Sequence, residues 1–149
     1  MEARMKLNEQ ITVGGQPTEE QLAELKQAGF KTVINLRTEG EENQPLSPEA
    51  EAGKVQAQGM EYRHLPVSPQ AMGPELVDRF RHELEQLPAP VFVHCASGMR
   101  AGAFSMMHLA TQAGWSGDDT LRKAEQMGFE CKQPELKEFV KGYIDSHQG

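Results

Sequence analysis

Cysteine is scarce in this chain: Cys95 and Cys131 are the only two, far apart and in no metal-ligand spacing. That excludes a disulfide framework, favours a reducing compartment and points to no metal. Positive charge is in deficit as well, 15 Lys and Arg against 22 Asp and Glu, for a formal net charge of −7. Such a balance carries no electrostatic footprint for nucleic acid or an anionic membrane surface, although a small anion needs only a local positive field. No apolar run approaches membrane-spanning length, and residues 1–10 are polar and charged with no hydrophobic leader core. The expectation is a cytoplasmic protein with no nucleic-acid partner, no membrane partner and no cofactor. Repeats, linkers and low-complexity stretches are missing too. The 149 residues are therefore expected to form one domain, 1–149, which buries about two-thirds of its unfolded surface.

What is present alternates between two periodicities. Ile11-Thr12-Val13 reads as a short strand closed by Gly14-Gly15. Thr18 caps a helix, with Gln21 completing a capping box, Leu22, Leu25 and Ala28 marking the inner face and Gly29 the stop. Residues 31–36 (Lys-Thr-Val-Ile-Asn-Leu) are nearly continuous in apolar or β-branched side chains, as in a parallel strand covered on both faces. Ser47 and Pro48 open a second helix, which carries Val55 and ends near Gly59. Residues 60–65 alternate as a third, more exposed strand. Pro74 starts a third helix with Leu76, Val77, Phe80, Leu84 and Leu87 at helical spacing. Ser116 caps a helix holding Leu121, Ala124 and Met127, and Leu136, Phe139, Val140, Tyr143 and Ile144 form the stripe of a last one. The pattern predicts an α/β fold with a mostly parallel central sheet flanked by helices on both faces. Ligands in such folds bind beyond the carboxyl ends of the strands, which places loops 37–44, 66–73 and 95–100 on one rim.

The last of these loops carries chemistry. In Val91-Phe92-Val93-His94-Cys95-Ala96-Ser97-Gly98-Met99-Arg100, a strand ends in His-Cys, a glycine-bearing loop follows, then an arginine, then a helix over 101–113. Strand, loop and helix N-terminus in that order form an anion site, because unpaired N–H groups point outward. A cysteine at the start of the loop sits in a field that favours its thiolate. An arginine at its end presents a planar fork matched to a tetrahedral oxyanion. The expected site is Cys95 as nucleophile, Ala96, Ser97, Gly98, Met99 and Arg100 as the oxyanion-binding loop, and Arg100 as its clamp. Cysteine is commonly inert packing; Gly98 and Arg100 at these offsets favour the nucleophile.

With these stretches the chain resembles a bacterial family of small phosphatase-like proteins, sometimes fused to metallo-β-lactamase-type hydrolases. The matching segments are Gly15-Gln16-Pro17-Thr18 with its helix, Thr32-Val33-Ile34-Asn35-Leu36-Arg37, and the His94–Arg100 loop. The resemblance implies a fold like that of dual-specificity phosphatases, with Cys95 attacking phosphorus, Arg100 holding the oxygens and His94 holding the loop in shape. It also implies a phosphomonoester substrate, either a small molecule or a phosphoprotein. Three departures stand out. The loop is Cys-x4-Arg, one residue shorter than the dual-specificity pattern and of the spacing typical of rhodanese-like sulfurtransferases. Ala101 follows the arginine where that pattern has a hydroxyl. Residues 66–73 contain no acid to protonate a leaving group, a contribution of typically ~10²–10⁴ in rate.

Glu41 and Glu42, on the rim loop after Leu36, are the nearest substitutes for that acid, with simple solvation as the alternative. Arg37 either orients the acidic loop by ion pairing or contacts substrate. His64 and His108 are taken as structural, His82 and His147 as surface residues, Met106-Met107 as core, and Cys131 as a spare thiol or a resolving partner for Cys95. Two further functions remain: a sulfurtransferase forming a Cys95 persulfide, and a non-catalytic module binding anionic or phosphorylated partners.

Overall fold

The computed structural model describes residues 4–38, 40, 41, 44, 46–68, 72–96, 98–127 and 134–147. The chain divides into two compact units, Met1–Ala101 and Gly102–Gly149.

The first unit is built on a five-stranded sheet of order β1-β2-β5-β3-β4: β1 (Met5–Lys6), β2 (Ile11–Gly14), β3 (Thr32–Asn35), β4 (Glu61–His64) and β5 (Val91–His94). The pairings β2–β5, β5–β3 and β3–β4 are parallel, and only the two-residue β1 runs antiparallel, along β2. β2, β3 and β5 are buried along their whole length, as their unbroken apolar and β-branched runs require. β4 lies at the sheet edge and alternates exposed and covered residues.

Register lines up the strand ends. Gly14 pairs with His94, His94 with Asn35, and Asn35 with His64, so four carboxyl ends form one row. Side chains alternate across a strand, so Val33, Tyr62 and Phe92 share a face. That face packs on α1 (Glu19–Gln27) and α2 (Pro48–Ala57) in a core with Leu22, Leu25, Val55 and Met60. Burying each such side chain contributes about 1.5–3 kcal/mol. Arg63 points to the opposite face and meets Glu83 of α3 (Pro74–Gln86) at 3.2 Å, so helices of this unit cover both faces of the sheet. The caps are those the sequence predicts: Thr18 and Gln21 form the capping box of α1, Ser47 caps α2, and Pro48 and Pro74 open their helices.

α4 (Met99–Ala113) begins two residues before the predicted start, so Met99 and Arg100 lie in its first turn. Gly98, at φ +99°, makes that possible by reversing the chain directly into the helix. The second unit holds the rest of α4, including the buried Met106, Met107 and His108, together with α5 (Gly117–Met127) and α6 (Pro134–Ser146). Ser116 caps α5 through the Asp119 N–H at 3.1 Å. α5 and α6 approach closely at Gly117, whose N–H donates to Asp145 Oδ1 at 2.9 Å.

Candidate active site

The three loops of the rim meet at Arg100. Its Nη1 donates to the Val67 carbonyl of loop 66–73 at 2.8 Å and to Glu41 Oε2 of loop 37–44 at 2.8 Å. Its Nη2 donates to Glu41 Oε1, also at 2.8 Å. The side chain is nine-tenths buried. Such a bidentate, charge-assisted pair fixes the plane of the guanidinium.

Cys95 lies at the end of β5, buried, with its N–H donating to the Gly14 carbonyl at 3.3 Å. Its sulfur accepts the Gly98 N–H at 3.2 Å and the Ala101 N–H at 3.3 Å. These donors come from the turn and from the first turn of α4, where amides have no helical partner. The Arg100 pKa is raised first by the hydrogen bond to Glu41, against burial, and then by the charge of the neighbouring cysteine. Ala96 is exposed and Gly98 and Met99 are half-exposed. Ser97 and Glu42, like Cys131, lie outside the described residues. The loop therefore brings a sulfur, two backbone donors and a guanidinium together at the head of a helix, an arrangement suited to an oxyanion beside a nucleophile.

Glu41, the candidate acid of the rim loop, is paired with two arginines. The hydrogen bond from Arg100 holds its carboxyl far below the usual carboxylate range, partly opposed by burial and reinforced by the Thr38 N–H, Arg37 and the Thr38 hydroxyl. The Glu41 geometry is that of an anchor for the Arg100 guanidinium. Arg37 Nε donates to Glu41 Oε1 at 3.0 Å from a fully buried position, the ion pair that the first of its two expected roles requires. His64 is structural, donating from Nε2 to the Arg37 carbonyl at 2.6 Å.

His94 is fully buried, and its Nε2 meets Glu51 Oε2 at 2.6 Å. Glu51, also fully buried, accepts Gln16 Nε2 at 2.7 Å on its other oxygen. The Tyr62 hydroxyl, beside the same carboxylate, accepts Asn35 Nδ2 at 3.1 Å. Burial, then the Glu51 charge, pushes the Tyr62 phenol well above its ordinary pKa. Sequence reasoning missed Glu51 and gave Gln16 no role beyond its place in a motif. A signal existed for Glu51. It precedes Val55 by one helical turn, on the inner face of α2, and a carboxylate there requires partners.

Among the described residues no helix is long and apolar enough to cross a membrane, and no group of three or more His, Cys, Asp or Glu is placed to hold a metal ion.

A profile of the family described as Beta-lactamase hydrolase-like protein, phosphatase-like domain, matches residues 4–115. The Beta-lactamase hydrolase-like protein of Agrobacterium fabrum is 34% identical over 97 residues, 65% of this chain and 22% of that protein. The chain thus spans about a fifth of the length of the curated relatives it matches. Among solved structures, a candidate phosphatase from Shewanella putrefaciens CN-32 is similar at a TM-score of 0.82 and 27% identity, covering 99% of this chain and 93% of that one. A cysteine-to-serine variant of P. aeruginosa TpbA, solved in complex with phosphotyrosine, has a TM-score of 0.75 at 17% identity, covering 96% and 86% of the two chains. At that identity the likeness is one of fold. The sulfurtransferase alternative gains no support from these relatives. The chain belongs to the phosphatase-like domain family of the beta-lactamase hydrolase-like proteins and has the α/β fold of the protein tyrosine and dual-specificity phosphatases.

Proposed function

We propose that this protein hydrolyses phosphomonoesters through a phosphocysteine intermediate on Cys95. The observation that carries the reading is the convergence of the Gly98 and Ala101 N–H groups on one buried sulfur, at the helix turn that carries Arg100. The Cys95 thiolate attacks phosphorus, the P–O bond to the leaving group breaks, and that oxygen departs with the electron pair. Water then attacks the phosphocysteine, the P–S bond breaks, inorganic phosphate leaves and the thiolate is restored. The two N–H donors stabilise the departing thiolate, the role given elsewhere to the hydroxyl that Ala101 lacks.

Substrate class follows from proton supply. Residues 66–73 offer no acid, and Glu41 is tied to Arg100 as an anion. Aryl phosphates, whose phenoxides leave with least protonic help, are the fitting class, and phosphotyrosine, the ligand of the TpbA variant, is one of them. A reducing compartment such as the cytoplasm suits a thiolate nucleophile, which oxidation would disable.

The test compares aryl phosphate turnover by the wild-type chain and Cys95→Ser, with acid quenching and mass spectrometry of the wild type. Turnover lost in the variant, and one phosphoryl group on the Cys95 peptide, are expected. Phosphate binding without turnover in the wild type would instead identify a binding module.

A further inference from the structure

One line of buried and part-buried polar contacts joins the two ends of the Cys95–Arg100 loop by a route that avoids the loop itself. From the residue before the cysteine it runs His94 Nε2 to Glu51 Oε2 at 2.6 Å, then Glu51 Oε1 to Gln16 Nε2 at 2.7 Å. Gln16 Oε1 accepts Arg37 Nη1 at 3.0 Å, Arg37 Nε donates to Glu41 Oε1 at 3.0 Å, and Glu41 takes both Nη groups of Arg100. Gln16 is the midpoint, and its chemistry is prescribed from both sides. A carboxylate on one side can only accept, and a guanidinium on the other can only donate. A primary amide satisfies both at once, with Nε2 giving its second hydrogen to the Pro17 carbonyl at 3.1 Å. An acid here would set a carboxylate against Glu51, and an apolar side chain would take one hydrogen-bond partner from each neighbour.

We infer that Gln16 is a positioning residue that couples His94, next to the nucleophile, to Arg100, the oxyanion clamp. The inference rests on the reading of Cys95 and Arg100 as the reacting pair. Gln16 lies in the connection between β2 and α1, and its side chain hydrogen-bonds to Pro17, Glu51 and Arg37 rather than to either residue. Its effect passes through Glu51 and His94 on one side and through Arg37 and Glu41 on the other. Breaking the midpoint frees the orientation of both ends, and small misplacements of reacting groups are costly in rate.

Two variants of the full chain test this, beside wild type and Cys95→Ser. Gln16→Met keeps length and removes both hydrogen-bonding functions. Gln16→Glu keeps shape and acceptance from Arg37 but loses the donor toward Glu51 until one carboxyl is protonated. The charged and titratable groups facing this point are Glu51, Arg37, and, through Glu51, His94 and Tyr62. Aryl phosphate hydrolysis by Gln16→Met is expected to fall on the order of 10- to 100-fold in kcat/KM, with weaker inhibition by inorganic phosphate. Gln16→Glu is expected to be most impaired at alkaline pH and to regain activity relative to wild type as the pH falls. The His94 ring nitrogens, followed by NMR, are expected to shift in both variants. Lowered thermal stability with unchanged kcat/KM, phosphate inhibition and pH ratio would reduce Gln16 to a structural role and overturn the inference. If wild type turns over no more than Cys95→Ser, the phosphatase reading fails instead. The His94 resonances then decide the coupling alone, and resonances unmoved by Gln16→Met overturn it.

Discussion

Arg100 turns the end of its fork squarely onto Glu41, Nη1 to Oε2 and Nη2 to Oε1, each at 2.8 Å, across 59 residues of sequence. The pair has two consequences. The guanidinium is held in one plane, which on the proposed mechanism lowers the reorganisation that anion binding requires. On the proposed mechanism the carboxylate is at the same time withdrawn from acid catalysis, which shapes the choice of leaving group.

Arg100→Lys keeps the positive charge and loses the fork. A lysine can satisfy Glu41 or the Val67 carbonyl but cannot hold a plane between them and an oxyanion. Aryl phosphate turnover is expected to drop on the order of 10²-fold or more, by analogy with loss of one oxyanion donor, while the thermal midpoint changes little. Equal kcat/KM in the two proteins would make Arg100 a structural residue.

Gly98 sits at φ +99° and gives its N–H to the Cys95 sulfur. A side chain at that φ costs roughly 1–2 kcal/mol, and the chain can relieve the strain only by rotating the N–H away from the sulfur. Gly98→Ala is therefore expected to lose activity out of proportion to its stability. Urea unfolding and aryl phosphate kinetics on the same preparation would show the disparity.

What the sequence made legible was what is local. Thr18 with Gln21, Ser47 with Pro48, and the unbroken runs of β3 and β5 each specify their element within a few residues. The row of strand ends then follows from parallel topology. β1 went unread because two residues carry no period, and with it the one antiparallel pairing. α4 starts early because the conformation of Gly98 fixes the boundary, and periodicity alone marks it only within a turn. The roles of Glu41 and Glu51 were out of reach for a different reason. Whether a carboxylate donates a proton, solvates a loop or anchors an arginine depends on partners that the fold brings from dozens of residues away.

In the second unit, Gly117 marks a tight crossing of α5 and α6. A Cβ there would stand 2.6 Å from Lys141 Cγ, 2.9 Å from its Cα and 3.0 Å from its carbonyl oxygen. Two of those atoms are backbone and cannot swing aside. Gly117→Ala is expected to destabilise the protein by about 1–3 kcal/mol, the usual cost of overpacking. Adding Lys141→Ala removes the Cγ contact alone, so it should recover only part of the loss in urea unfolding.

The role of Glu41 is decided by its dependence on pH and on leaving group together. Its folded-state pKa lies below the ordinary carboxylate value because of Arg100, so the pair's stabilisation is fully present above that ordinary value. It is lost as the pH falls toward the lowered one. Glu41→Gln should thus be less stable than wild type at neutral pH, and the difference should shrink in strong acid. Kinetically, a general acid matters more as the leaving group becomes more basic. An anchor for Arg100 acts on the phosphoryl oxygens, which are common to all substrates. Across a series of aryl phosphates of rising phenol pKa, Glu41→Gln is therefore expected to lower kcat/KM by a similar factor throughout, leaving the steep leaving-group dependence of the wild type intact. A deficit that widens steadily toward the most basic phenols would return Glu41 to the role of proton donor.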